Sequence, residues 1–249
     1  MPAVACVDRM RDRVRARARN LQRTLACNAR TGPPRQLLAM TSEDHLVLIV
    51  DDDQRIREAL QALLTAAALR SVAFASASEY VAYPEPEVPA CLILDVELPD
   101  VNGLELQLQI GKRSHPPVIF VTGHGDIPSS VRAMKAGALD FLTKPFVADE
   151  LLALVHAALA QDRERRTIEA ELKQLTRRLE SLTPREREVL PLVVSGLLNK
   201  QAAAHLGISE VTLQIHRSSV MRKMEAHSLA DLVRMAGCLE IPIAHDRNA

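Results

Sequence analysis

The sequence predicts two domains: a doubly wound α/β fold built on five parallel strands, followed by a separate all-α helix-turn-helix domain. Two observations point to the first. Short, wholly apolar runs recur along the first two-thirds of the chain, as strands buried on both faces require. Segments with helical spacing separate them, so strand and helix alternate. The third observation is Gly207, which lies in a three-to-four residue turn between two short helical patterns near the end of the chain. A length of 249 residues accommodates two modest domains, and 47% hydrophobic residues supply real cores. With 2% aromatics and no Trp, those cores are built from Leu, Val, Ile and Ala.

Taken in order, residues 1–40 lack hydrophobic periodicity and carry nine Arg against Asp8 and Asp12, a balance of +7. They are expected to be a disordered basic extension, an artefact of an upstream start codon being one account of it, since Met40 directly precedes the folded pattern. A basic arm touching DNA is the sharper alternative. Residues 46–50 form the first strand, ending in Asp51-Asp52-Asp53, and residues 54–67 show helical spacing through Ile56, Leu60, Leu63 and Leu64. A second strand at 71–74 leads to Ser76-Ala77-Ser78-Glu79, which reads as a capping box. The third strand, 91–94, runs into Asp95, and a helix starts at Gly103. Residues 117–122 are the fourth strand, with a helix from about 128 to 136. Residues 139–143 are the fifth, stopped by Lys144-Pro145, and a helix starts near Ala148.

That last helix runs on. Ile168, Leu172, Leu175, Leu179 and Leu182 alternate spacings of four and three, an a/d seam expected to support a weak dimer; an amphipathic linker lying on a domain is the plainer alternative. Thr183-Pro184-Arg185-Glu186 then combines an N-cap Thr, Pro at N1 and Glu at N3. The expected core of the second domain is Val189, Leu190, Val193, Ala203, Leu206, Ile208, Leu213, Ile215, Val220, Met224, Leu229 and Leu232. Pro191 predicts a local kink, and Ser209 caps the second helix of the pair.

Composition narrows the function. No apolar run approaches the roughly 18 residues needed to span a bilayer, which predicts a soluble protein with no membrane partner. Cys6, Cys27, Cys91 and Cys238 are scattered without metal-ligand spacing, which fits a reduced cytoplasm. A net charge of zero hides an asymmetry: residues 41–162 carry −10 and residues 163–249 carry +3. An acidic middle points to cation binding and a basic end to a polyanion. No Gly-rich loop follows the first strand, which excludes P-loop and dinucleotide readings.

Each strand of the first domain releases a polar group at the same end. These are Asp51 and Asp52, Asp95, Thr122 and Lys144. Ligands of open α/β sheets bind at the carboxyl ends of the strands. Three carboxylates there cannot all stay ionised without a counter-charge, and oxygen ligands with room for water suit Mg²⁺. A hydroxyl and an ammonium could hold two phosphoryl oxygens, leaving Asp95 as nucleophile for an aspartyl phosphate. Taken singly, Lys144 reads as a surface lysine, Thr122 as a strand-end residue and Phe141 as core; together at successive strand ends they read as a phosphorylation site.

Residues 46–160 resemble the receiver domain (flavodoxin-like) of two-component response regulators. Residues 182–240 resemble the LuxR-type helix-turn-helix of the NarL/FixJ subgroup, through Leu182-Thr183-Pro184-Arg185-Glu186-Arg187-Glu188-Val189-Leu190 and Gly196-Leu197-Leu198-Asn199-Lys200. The run from His216-Arg217 to Met235-Ala236 is most similar to the FixJ branch. The expected organisation is a basic extension (1–43), receiver (44–160), helical linker (161–181), DNA-binding domain (182–240) and tail (241–249). The resemblance implies that Asp95 accepts phosphate from a sensor histidine kinase. Asp51, Asp52, Asp95 and the backbone carbonyl of Glu97 would hold Mg²⁺. Thr122 and Lys144 would engage the phosphoryl group, with the Lys144–Pro145 peptide cis, and Phe141 would turn inward with Thr122 as an aromatic switch. The only reactions implied are the receiver's own phosphorylation and dephosphorylation, so the chain is not expected to be an enzyme. Glu97 and His124 stand where the family varies.

In the second domain the resemblance implies that Gln214, Ile215 and Ser218 face bases of double-stranded DNA. Lys200, Thr212, Arg217 and Lys223 would meet phosphates, beside Ser209 and with His216 either anchoring the helix or touching DNA. Gln214 replaces the commoner Lys and can pair bidentately with adenine. A homodimer on phosphorylation is implied, and RNA polymerase is left open as a further partner. Two rivals remain: a phosphorylation-independent DNA-binding regulator, and an acidic-site phosphohydrolase, for which Glu97 is the single second acid two residues past Asp95.

Overall fold

The structure is a computed structural model that describes residues 45–111, 115–123 and 127–242. The basic extension and His124 lie outside the described residues. The chain divides into two compact units, with the boundary between Thr167 and Ile168.

In the first unit the strands are β1 (Leu46–Val50), β2 (Ser71–Phe74), β3 (Ala90–Leu94), β4 (Val118–Thr122) and β5 (Asp140–Thr143). They form one parallel sheet in the order β2-β1-β3-β4-β5. The helices between and after them are α1 (Gln54–Ala66), α2 (Ala77–Ala82), α3 (Gly103–Ile110), α4 (Ile127–Lys135) and α5 (Ala148–Glu180). The apolar runs are explained by burial on both faces: Leu46, Leu48 and Val50 join one core layer, whereas Val47 and Ile49 join the other. β3 and β4 divide in the same way, Leu92 and Phe120 to one side, Ile93 and Ile119 to the other. The strand order reverses between β1 and β3, which opens a crevice at their carboxyl ends.

Local chemistry sets the helix starts. Asp53 caps α1 by accepting from Arg55 N at 2.8 Å, and Asn102 caps α3 by accepting from Leu104 N at 2.9 Å. At α2 the expected capping box is displaced by one residue. Ser76 accepts from Glu79 N at 3.2 Å, but the Glu79 carboxylate turns back to Ala75 N (2.8 Å) rather than to Ser76 N. On α5, the fully buried Asp162 accepts from Ala90 N at 2.9 Å, and from Arg165 Nε at 2.9 Å and Arg166 Nε at 2.7 Å, which fastens that helix to the start of β3.

The second unit contains α6 (Pro184–Val194), α7 (Asn199–Leu206), α8 (Glu210–Lys223) and α9 (Leu229–Cys238). Thr183 and Glu186 form the capping box expected of them, and α6 continues through Pro191 to Val194. Gly207 adopts φ 64°, the left-handed conformation that ends α7 and lets α8 begin at the Ser209 cap. Two expected core residues lie outside: Ile215 is 61% exposed and Leu229 37%. Each meets the helical spacing of the core, but Ile215 sits on the solvent side of α8 and Leu229 in the first turn of α9.

The a/d seam also has a different fate. Leu172, Leu175 and Leu179 pack against the core of this second unit, and Leu182 is buried in it. Three of the leucines that read as a dimer seam are thus half-buried against their own domain, which favours the plainer alternative of a helix lying on that domain.

Candidate functional site

Backbone ladders extend one residue past the strands and fix the polar groups beyond them. Asp51 N donates to Phe74 O at 3.2 Å, Asp95 N to Val50 O at 2.8 Å, and Lys144 N to Thr122 O at 2.8 Å. The Lys144–Pro145 peptide is cis. Asp51, Asp52 and Asp95 consequently converge, with one carboxylate oxygen of each within 4.8 Å of the others. Asp51 and Asp95 are buried and Asp52 is exposed. Lys144 Nζ bridges the pair, 2.6 Å from Asp51 Oδ2 and 2.7 Å from Asp95 Oδ2. The second oxygens turn to the loops: Asp51 Oδ1 accepts from Asp53 N at 2.9 Å, and Asp95 Oδ1 from Glu97 N at 3.1 Å.

Electrostatics follow from this burial. Desolvation holds the Asp51 carboxyl above its ordinary value against the pull of Lys144. For Lys144 burial works downward, but hydrogen bonds from the ammonium to Asp51 and Asp95 outweigh it and hold its pKa above the usual lysine value. Two of the three carboxylates, Asp51 and Asp95, are thus partly desolvated and bridged by the Lys144 ammonium.

Thr122 is fully buried at the end of β4, beside Thr143 in register. Phe141 is half-buried on β5 with its ring 6.2 Å from that of Phe120. Three residues in and around the loops of the site escaped sequence reasoning. Arg57 donates to the carbonyls of Asp51 and Asp52, both at 2.8 Å. Gly103 N closes the loop after β3 onto Val96 O at 2.8 Å, and a Cβ on Gly103 would stand 2.1 Å from Asp95 O. Asp100 bonds across to the start of α2. Only Gly103 had a signal, the Asn-Gly pair at a helix start.

In the second unit, Gln214, Ile215 and Ser218 share an exposed face of α8, where they line a shallow groove with Val211, Ser219 and Arg222. Lys200 and Ser209 are exposed; Ser209 Oγ lies 2.8 Å from Thr212 Oγ1. His216 and Arg217 are half-buried, and Arg217 donates to Asn199 Oδ1 at 2.9 Å. Lys223 is engaged inside the unit, donating to Glu186 Oε2 at 2.7 Å and to Ser181 O at 3.3 Å.

Comparison with known proteins places both units. The family described as response regulator receiver domain matches residues 47–156, and bacterial regulatory proteins of the luxR family match residues 180–236. Nodulation protein W of Bradyrhizobium diazoefficiens is 48% identical over 201 residues, covering 80% of this chain and 88% of that protein. The chain belongs to the LuxR-type response regulators. Response regulator protein TodT of Pseudomonas putida is 43% identical to this regulator over 197 residues, covering 79% of this chain and 87% of TodT. Transcriptional regulatory protein FixJ of Azorhizobium caulinodans is 42% identical over 191 residues, covering 76% and 90%. The solved structure of response regulator StyR matches with a TM-score of 0.71 and 44% identity, covering 78% of the regulator and 98% of StyR. Among the described residues, no helix of the regulator is long and apolar enough to cross a membrane.

Proposed function

We propose that the regulator is switched by phosphorylation of Asp95 by a sensor histidine kinase in the cytoplasm, and that the phosphorylated form dimerises and binds double-stranded DNA. The observation that carries this reading is the Lys144 ammonium shared between Asp51 and Asp95 at a strand-order reversal. A carboxylate oxygen of Asp95 attacks phosphorus, the P–N bond of the donor phosphohistidine breaks, and its electron pair stays on the imidazole nitrogen. The donor set fits a divalent cation. Three carboxylate oxygens within 4.8 Å, two of them buried, need positive charge that one ammonium supplies only in part. Asp51, Asp52, Asp95 and the Glu97 carbonyl would hold Mg²⁺, which supplies charge neutralisation for the transferring phosphoryl oxygens. Lys144 pairs with the phosphoryl group once it forms, and Thr122 donates its hydroxyl to it.

The switch face is α4, β5 and α5. Phe141 packs beside Phe120 at its edge, and α4 leaves Val131 and Met134 exposed. Phosphate biases this face between two arrangements. On DNA, α8 enters the major groove with Gln214, Ile215 and Ser218 toward bases. Lys200, Ser209, Thr212 and Arg217 lie toward phosphates, and His216 holds the helix from its half-buried side. Lys223 is assigned to positioning α8 through Glu186, not to phosphate contact.

The test is incubation of the full chain with acetyl phosphate and Mg²⁺, followed by intact and peptide mass spectrometry. One phosphoryl group at Asp95, absent from Asp95→Asn, is expected. A wild-type chain that stays unlabelled yet binds DNA fully would return the phosphorylation-independent reading.

A further inference from the structure

The loop from β3 to α3 has to hold the Glu97 peptide in one place, yet Glu97 and residues 99 and 100 face solvent. Its inner end is fixed by Asp95 Oδ1 accepting from Glu97 N (3.1 Å) and by Gly103 N closing onto Val96 O (2.8 Å). Leu98 and Val101 lean on the core between these points. At the outer turn Asp100 ties the loop to α2. Asp100 Oδ2 accepts from Ser78 N at 2.8 Å and Ser78 Oγ at 2.7 Å, and Asp100 Oδ1 accepts from Ala77 N at 3.2 Å. Three donors thus converge on one exposed carboxylate, 22 residues away in the chain for the Ser78 bonds.

We propose that Asp100 is a positioning residue for the cation site: by pinning the loop to the start of α2, it holds the Glu97 peptide where its carbonyl completes the ligand set of Asp51, Asp52 and Asp95. This rests on the assignment of that cluster as a Mg²⁺ site. α2 already has a cap in Ser76, which accepts from Glu79 N. The Asp100 bonds therefore satisfy amides that α2 could leave to water at its exposed first turn, and what they fix is the loop. The Ser78 hydroxyl and amide bring the Asp100 pKa down to about 2, as hydrogen bonds to the charged form do. Partners behind metal ligands set affinity by fixing ligand orientation, and their loss typically costs on the order of ten- to a hundredfold.

The experiment is calorimetric titration of the full chain with MgCl₂, since the chain has no Trp to report binding. Asp100→Ala is expected to weaken Mg²⁺ binding on the order of tenfold, Asp100→Asn less, and Ser78→Ala in the same direction. At saturating Mg²⁺ the Asp100→Ala chain should recover the wild-type rate of labelling by acetyl phosphate, which a general loss of structure would not allow. Wild-type affinity in both Asp100→Ala and Ser78→Ala would overturn the proposal. So would equal weakening in Asp100→Ala and Asp100→Asn with Ser78→Ala unaffected, because the effect would then be charge alone. A wild-type chain without Mg²⁺ binding would instead remove the site assignment on which the proposal stands.

Discussion

At Gly103 the chain passes so close to Asp95 that a methyl group would meet the Asp95 carbonyl oxygen at 2.1 Å. Both partners are backbone or first-atom positions, so neither can rotate away. Gly103→Ala should displace the end of β3, lowering stability by about 1–3 kcal/mol and slowing acetyl phosphate labelling of Asp95, measured by melting and by mass spectrometry. Glu186 carries a different residue-scale prediction. The Lys223 hydrogen bond holds its carboxyl below the ordinary glutamate value, against the effect of burial and with help from Thr183 N. A depressed folded-state pKa means the contribution is complete above the ordinary range and is lost as pH falls through the folded value. Thermal melts from pH 6 to pH 3 should therefore show a shallower loss of stability in Glu186→Gln than in the wild type.

Residues 168–182 show what periodicity leaves open at the scale of an element. An apolar stripe at spacings of three and four serves equally for a coiled-coil partner and for a helix lying on its own domain. Here the stripe packs on the domain's core, and polar bonds reinforce it: Arg178 pairs with Glu225, and Lys223 reaches Ser181 O. The end of α5 and the end of α8 are thereby fastened in one unit. Leu175→Ala and Leu179→Ala should each destabilise that unit by about 1–2 kcal/mol, as half-buried leucines do, read as a lower melting temperature. Unchanged stability with a loss of self-association in ultracentrifugation would restore the dimer seam. The same ambiguity misplaced Ile215 and Leu229, whose spacing fits a core position on helices that turn that face to solvent. Strand positions were easier to read, because a strand buried on both faces puts every residue of runs such as 46–50 in the core, whichever face it takes.

Over the whole molecule, the residues legible in advance were those whose chemistry is unusual for their place. Asp51, Asp95 and Lys144 follow apolar strands directly, and a parallel sheet must gather such groups at one edge. Arg57, which bonds the carbonyls of Asp51 and Asp52, and Asp100, which ties the loop after β3 to α2, act from one turn into a helix and from an exposed turn, where charged side chains are ordinary. Their role depends on the sheet order bringing separate loops together, which spacing does not encode. The charge division has a clearer meaning: a −10 segment carries the carboxylate cluster, and the basic end carries the exposed face of α8. Chemistry at Asp95 is proposed to govern what α8 does. Its most direct test is the affinity of the full chain for DNA selected by the phosphorylated protein, measured at one fixed salt concentration with and without acetyl phosphate and Mg²⁺. Wild-type affinity should rise at least tenfold on phosphorylation while Asp95→Asn stays at the unphosphorylated level, a difference of about 1.4 kcal/mol. Equal affinities for all four samples would contradict the account.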